Sequence, residues 1–231
     1  FGRNPTALSL IFSEVLDIVY DNNHHRLDQW NPTLLRPQKM QEYADAVHAK
    51  GAPLSNCFGF IDGTLRDISR PKFNQRVVYN GHKRKHGLKF QSVVVPNGMI
   101  ANLQGPYKGR KHDCSMLHET NLLNNLRQNA WANGEPLCLY GDPAYPLNPH
   151  LQMPFKGAQI TADMRAYNKV MSQVRVTVEW LFGNITNFFK FLDFKKQMKI
   201  GLSPVGKLYV VCALLENTRT CLYGNIVSSF F

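Results

Sequence analysis

The sequence predicts an α/β fold, a sheet covered by helices, and three observations carry that prediction. Short apolar, β-rich runs occur at residues 57–61 and 137–140, and each ends at an acid. Residues 89–105 hold two further β-rich runs around a Pro-Asn-Gly turn, a hairpin signal. Long stretches with apolar residues at steps of three and four stand before, between and after these runs, which is the helical period. The order strand, hairpin, helix, strand, helix is that of a sheet with helices packed on it.

Each element has a local reason. Residues 1–55 read as a helical N-terminal segment. There, Ile11, Val15 and Ile18 follow Leu8 at helical spacing, with Pro5 and Thr6 as a start signal. A second helix opens at Pro37, buries Met40, Tyr43 and Val47, and stops at Gly51. Residues 56–231 form the α/β domain. Its first strand, 57–61, ends at Asp62 and Gly63. A helix over 115–128 carries Leu117, Leu122, Leu123 and Leu126, and the strand 137–140 leads to Asp142. A long helix over 164–191 places Val170, Val174, Val178, Leu181, Ile185 and Phe188 on one stripe. A last helix takes Ser203 as its cap and Pro204 in its first turn, with Leu208, Val211, Cys212 and Leu215 within.

Composition excludes several classes. The longest apolar run, 208–215, is too short to cross a bilayer; no secretory leader is visible, but the sequence begins at Phe1 rather than Met, so that absence excludes no destination. Five cysteines without a CxxC pair argue against a zinc site and for reduced thiols, as in the cytosol or nucleus. The charge is more informative. Lysine and arginine number 27 against 16 aspartates and glutamates, a formal net charge of +11 that favours a polyanionic partner.

Three acids are candidates for chemistry. Asp62 and Asp142 each directly follow a short apolar strand, and side chains at the carboxyl ends of sheet strands converge where α/β proteins place their sites. Glu179 lies on the long helix between Val178 and Leu181, with Arg175 four residues earlier on the same face. Three converging carboxylates suit hard cations such as Mg²⁺. Two such ions can activate a water or a 3′-hydroxyl and stabilise the leaving oxygen of a phosphodiester. Plain alternatives stand beside each acid: Asp62 and Gly63 can be a hairpin turn, Asp142 can sit in a turn with Pro143, and Glu179 can simply pair with Arg175.

Basic residues surround these positions in the sequence. Arg76, His82, Lys83, Arg84, Lys85 and Lys89 fall in one run, and Arg110 and Lys111 follow the hairpin. With Arg175 they are candidates for contacts to DNA phosphates, although the run can also be a solvated loop. His112 and Asp113 invite a catalytic-base reading. Metal-activated water needs no such base, so the pair is read as auxiliary, with Asp113 an extra acid or the cap of the 115–128 helix.

The segments FIDGT (60–64), YNGHKRKHGLKFQ (79–91), GRKHD (109–113), LYGDPAYP (139–146) and VRVTVEWLFG (174–183) occur in the order found in the Harbinger (PIF/Harbinger) transposase-derived nucleases. The chain resembles that family of the DDE superfamily over nearly its whole length. The resemblance implies an RNase H-like mixed sheet flanked by helices, with Asp62, Asp142 and Glu179 as catalytic metal ligands. It implies Mg²⁺- or Mn²⁺-dependent cutting of double-stranded DNA at transposon ends, with two ions, and joining of the freed 3′-hydroxyl to target DNA. A Myb-like DNA-binding partner protein, a homo-oligomer and entry into the nucleus from the cytoplasm go with it. Members carry an N-terminal helix-turn-helix, of which residues 1–55 would be a remnant. Many members have a small residue where this chain has Pro143. Two other readings stay open: a non-cutting DNA-binding or adaptor protein derived from a transposase, and an RNA-processing nuclease of the same fold, which contacts to the 2′-hydroxyl would distinguish.

Overall fold

The computed structural model describes residues 2–193, 196 and 198–231. Three helices come first, α1 (Pro5–Asn23), α2 (His25–Asp28) and α3 (Pro37–Ala49), followed by strand β1 (Cys57–Asp67). A short helix α4 (Gln75–Val78) and strand β2 (Tyr79–Asn80) lead into the hairpin β3 (Lys85–Val94) and β4 (Ile100–Lys108). Then come α5 (Asp113–Glu119), α6 (Leu122–Asn129), a small ribbon β5 (Trp131–Ala132) and β6 (Glu135–Pro136), and strands β7 (Cys138–Tyr140) and β8 (Leu151–Gln152). The long α7 (Ala162–Phe188), a 3-10 turn (Lys190–Asp193), α8 (Val205–Tyr223) and α9 (Ile226–Phe230) complete the chain.

β3 lies between β4 and β1, antiparallel to both, while β7 and β8 continue the sheet parallel to β1. This mixed sheet with helices on both faces is the RNase H-like architecture expected from the resemblance. Period-two alternation sorts the strand side chains to the two faces, with the phase of β1 shifted by an irregularity between Cys57 and Gly59 that sends Phe58 and Phe60 to opposite sides. Phe60, Phe90, Val94 and Tyr140 enter one core cluster with Val174, Val178 and Leu181 of α7 and Leu208 to Leu214 of α8. Phe58, Ile61, Val93 and Leu139 enter the other, with Met40 and Ala44 of α3 and Leu117, Leu122 and Leu126 of α5 and α6. Each valine, leucine, isoleucine, phenylalanine or methionine among them contributes about 1.5–3 kcal/mol on withdrawal from water.

α7 forms because Thr161 caps it, accepting the Met164 N–H at 3.2 Å. Of its expected stripe, Val174, Val178, Leu181 and Ile185 are buried, Val170 is half-buried with Met171 buried in its place, and Phe188 at the end is exposed. α3 buries Met40, Tyr43 and Val47 as its spacing predicts.

Four expectations change. β1 does not stop at Asp62; it runs six-residue-deep pairing from Asp62↔Ser92 to Asp67↔Gly87, so Asp62 and Gly63 are mid-strand and the hairpin-turn reading fails. The helix expected over 115–128 is two, broken at Thr120, whose hydroxyl donates to the Leu117 carbonyl and accepts the Leu122 N–H in place of helix bonds. In α1 the stripe Ile11, Val15 and Ile18 is 40–53% exposed, and Leu16 instead turns inward, with Val19 and Tyr20 half-buried beside it. α8 begins at Val205 with Pro204 as its flanking residue, one position later than a Ser203 cap would set it.

Candidate active site

Strand register brings the first two acids side by side. Phe60 of β1 pairs with Tyr140 of β7 in parallel register. Asp62 and Asp142 are each two residues further on. β7 ends at Tyr140, so Asp142 leaves the sheet where β1 continues, and a cleft opens beside Asp62. The cleft encloses about 700 Å³ and is lined by Asp62, Asp142, Glu179 and Arg175, among others. Asp113, the first residue of α5, lies over Gly63, where a Cβ would run into its carboxylate. Glycine at 63 is what permits this third acid to come so close. Its approach was not apparent from spacing, although GRKHD marked the segment.

The three aspartates are unevenly compensated. Asp62 Oδ2 is 3.3 Å from Arg175 Nη1, and its Oδ1 accepts the Gly63 N–H at 2.8 Å. Asp142 Oδ1 accepts the Ala144 N–H at 2.9 Å. Asp113 Oδ1 takes a 2.7 Å bond from Lys89 Nζ. Burial raises the Asp62 carboxyl to about 6, with Asp142 and Asp113 adding to the rise and Arg175 and the Gly63 N–H opposing it. Burial also raises Asp142, with Asp113 adding and the Ala144 N–H opposing. Below them Tyr145 is buried, and Gln91 donates to its hydroxyl at 3.3 Å. Burial and then the charges of Asp113, Asp62 and Asp142 push that hydroxyl well above its ordinary value.

Glu179 lines the same cleft but stands apart. Its side chain is 60% exposed, and Arg175 Nη2 lies 3.9 Å from its Oε1, so the guanidinium stands between Glu179 and Asp62. Among the described residues, no three ligating side chains close on one point as they stand. In chemistry the donors fit a hard cation, since all are carboxylate oxygens and the aspartates repel one another across a partly buried space.

The basic residues divide by position. His82, Lys83, Arg110 and Lys111 line the cleft with His112. Asn80 holds this wall, donating to the Gly109 carbonyl and accepting the Lys83 N–H, both at 2.8 Å. Gly109 is needed there because a Cβ would meet the carbonyls of Val78 and Gly87. Lys85 lies in the adjoining groove, 3.1 Å from Asp67, and Arg84 faces a third depression with Arg70. Arg76 is exposed and lines none of these. Lys89 differs from the rest. It is 8% exposed, and its ammonium is engaged by Asp113 and the Lys111 carbonyl at 3.0 Å. Asp113 is no side-chain cap of α5, because its carboxylate is turned to Lys89.

All five cysteines are free thiols, and no described helix is long and apolar enough to cross a membrane. Comparison with curated proteins and with solved structures gives no match. The model of one family, described as DDE superfamily endonuclease, matches residues 61–217, a span that runs from the Asp62 strand through the Asp142 loop and Glu179 into α8. With well over half of its length matched, including the whole acid-lined cleft, the chain belongs to the DDE superfamily endonucleases.

Proposed function

We propose that the chain is a metal-dependent DNA endonuclease and transposase of the Harbinger type, with Asp62, Asp142 and Glu179 as its catalytic carboxylates. The observation that carries this reading is that Asp62 and Asp142, each two residues past the Phe60–Tyr140 pair, line one cleft together with Glu179 and the basic side chains Lys83, Lys89, Arg110, Lys111 and Arg175. Mg²⁺ or Mn²⁺, two ions together, would supply a lowered pKa for the attacking water or 3′-hydroxyl and charge stabilisation of the leaving oxygen. Asp62, Asp142 and Glu179 would hold them, with Asp113 adjoining as a fourth carboxylate. Lys89 keeps Asp113 over Gly63. The buried floor of Tyr145, Gln91 and Tyr140 limits water below the acids. His82, Lys83, Arg110 and Lys111 take the DNA backbone along the wall, and their contribution falls with salt.

A nuclear location, a Myb-like partner protein and self-assembly belong to the same reading and are supported by the motif resemblance alone. The alternative, a non-cutting DNA-binding protein derived from a transposase, is favoured by one observation: Glu179 is turned to solvent and to Arg175 rather than to the aspartates. Nicking of a supercoiled plasmid separates the two. Cutting that needs Mg²⁺ or Mn²⁺, stops with EDTA and is lost in Asp142→Ala is the expected result. Retained DNA binding without cutting would select the alternative.

A further inference from the structure

The two cations that face the acids are held in different ways. Lys89 is locked: buried, bonded at 2.7 Å to Asp113 and at 3.0 Å to the Lys111 carbonyl. Arg175 is not. Among the described residues its polar contacts are the 3.3 Å approach to Asp62 and the 3.9 Å approach to Glu179. Charge-assisted bonds settle at about 2.7–2.9 Å, so both contacts are loose. The guanidinium nevertheless stands between two of the oxygens that a divalent cation would grip. A cation bound at about 2.1 Å from those oxygens leaves no room for it, and the repulsion between the two charges in this half-buried setting is strong. Displaced, Arg175 swings on a flexible stem into the cleft it already lines, beside His82, Lys83 and Arg110. A guanidinium there offers paired N–H groups to a phosphate.

From this arrangement we infer that Arg175 is an exchangeable counter-ion: a divalent cation and the guanidinium are alternative partners of Asp62 and Glu179, and the released guanidinium binds a DNA phosphate. The inference rests on the metal-binding reading of the acids. Its consequence is that Arg175 adds to the cooperativity of cation and DNA, beyond the ions' own contact with the phosphodiester. Coupling is reciprocal, so DNA tightens cation binding by the same factor that the cation tightens DNA binding. Arg175 acts here as a positioning and coupling group, distinct from the carboxylates that hold the ion.

The test uses the 231-residue chain, with Mn²⁺ binding followed by the EPR signal of the free ion and DNA binding by anisotropy of a labelled duplex in the cold at fixed ionic strength. Wild type is expected to bind the duplex at least about fivefold more tightly with Mn²⁺ than with EDTA. Arg175→Met should bind Mn²⁺ more tightly than wild type in the absence of DNA, and its DNA affinity should rise with Mn²⁺ by clearly less than that of wild type, keeping only what the ions' own contact with the phosphodiester contributes. Arg175→Lys, which keeps the charge and guards against a misfolded variant, should restore part of the response. If Arg175→Met binds Mn²⁺ no more tightly, or its DNA affinity still rises with Mn²⁺ as in wild type, the exchange is overturned. Asp62→Asn serves as the control on the underlying reading. Mn²⁺ binding unchanged in that variant would remove the metal site itself, whereas its loss there beside an unaltered Arg175→Met would overturn the exchange alone.

Discussion

The 95–99 turn and the acid cleft sit on the same strands and are built in opposite ways. Beyond the Phe60–Val94 pair, the turn is closed by matched partners. Asn217 receives the Ile100 N–H at 2.8 Å and donates to the Ile100 carbonyl at 2.9 Å. Asn225 donates to the Gly98 carbonyl at 2.9 Å, and Asn97 to the Tyr43 hydroxyl at 2.9 Å. Gly98, at φ 81°, lies so close to Asn225 that any side chain would collide with it. Two residues along β1 in the other direction, three aspartates crowd one another against two cations, one of them loosely held. The buried side-chain amide oxygen of Gln91 there has no hydrogen-bond partner. Neutral amides close the turn, and unevenly compensated charge marks the cleft. The first arrangement serves the fold, and the second is unfavourable for the fold and useful only if something else binds there.

The contrast can be broken most sharply by removing an acid and measuring cutting. Asp62→Ala, Asp142→Ala and Glu179→Ala are each expected to reduce plasmid cutting to background while far-UV circular dichroism stays native. Wild-type cutting by any one of them would withdraw that residue from the catalytic set.

The next effect is on stability and depends on pH. Asp62 holds its proton more tightly folded than unfolded, since its pKa rises from 3.8 to about 6. The stabilising contribution of the protonated form is therefore fully present below about pH 4 and lost as pH rises through 6. Asp62→Asn keeps the neutral shape at every pH. It is expected to gain up to about 3 kcal/mol over wild type at pH 7.5 and little at pH 3.5, read by urea unfolding. An equal difference at both pH values would mean that charge is not the cause.

Asn217→Ala tests the other region. It strands the buried Ile100 N–H and carbonyl and should cost about 1–3 kcal/mol at any pH, with cation binding unchanged. The smallest effect distinguishes the basic residues. Lys83→Ala, on the cleft wall, should lower the slope of log affinity for DNA against log salt by about 0.9, whereas Arg76→Ala, outside it, should leave the slope as it is.

The sequence made much of this legible, for identifiable reasons. Period-two and period-three-to-four patterns located the strands, hairpin and long helix because one face of each is buried. They failed where residues are polar for the sake of the cleft. Residues 62–67 carry Asp, Gly, Thr, Leu, Arg and Asp, which looks like a strand end, yet the backbone pairs with β3 throughout. Asp62 and Asp142 could be read as equivalent because each follows a short apolar strand, and their adjacency then comes from register. The Asp113–Gly63 approach and the Asp62–Arg175 pair span 50 residues or more of chain, and no local pattern encodes them. Lys89 lies in a basic run and looked like its neighbours, but strand alternation turns it inward to Asp113. In α1 the stripe of Ile11, Val15 and Ile18 is apolar without being buried, so periodicity there marks a helix but not its packed face.

The most direct measurement is the thermal midpoint at pH 7.5 with and without Mn²⁺, for wild type and Asp62→Asn. Crowded carboxylates that hold a divalent cation should give a wild-type midpoint that rises with Mn²⁺ concentration, as binding to the folded state requires, and a variant that starts higher and does not respond. A wild-type midpoint indifferent to Mn²⁺, or an equal rise in Asp62→Asn, would contradict the assignment of the acid cluster as the metal site.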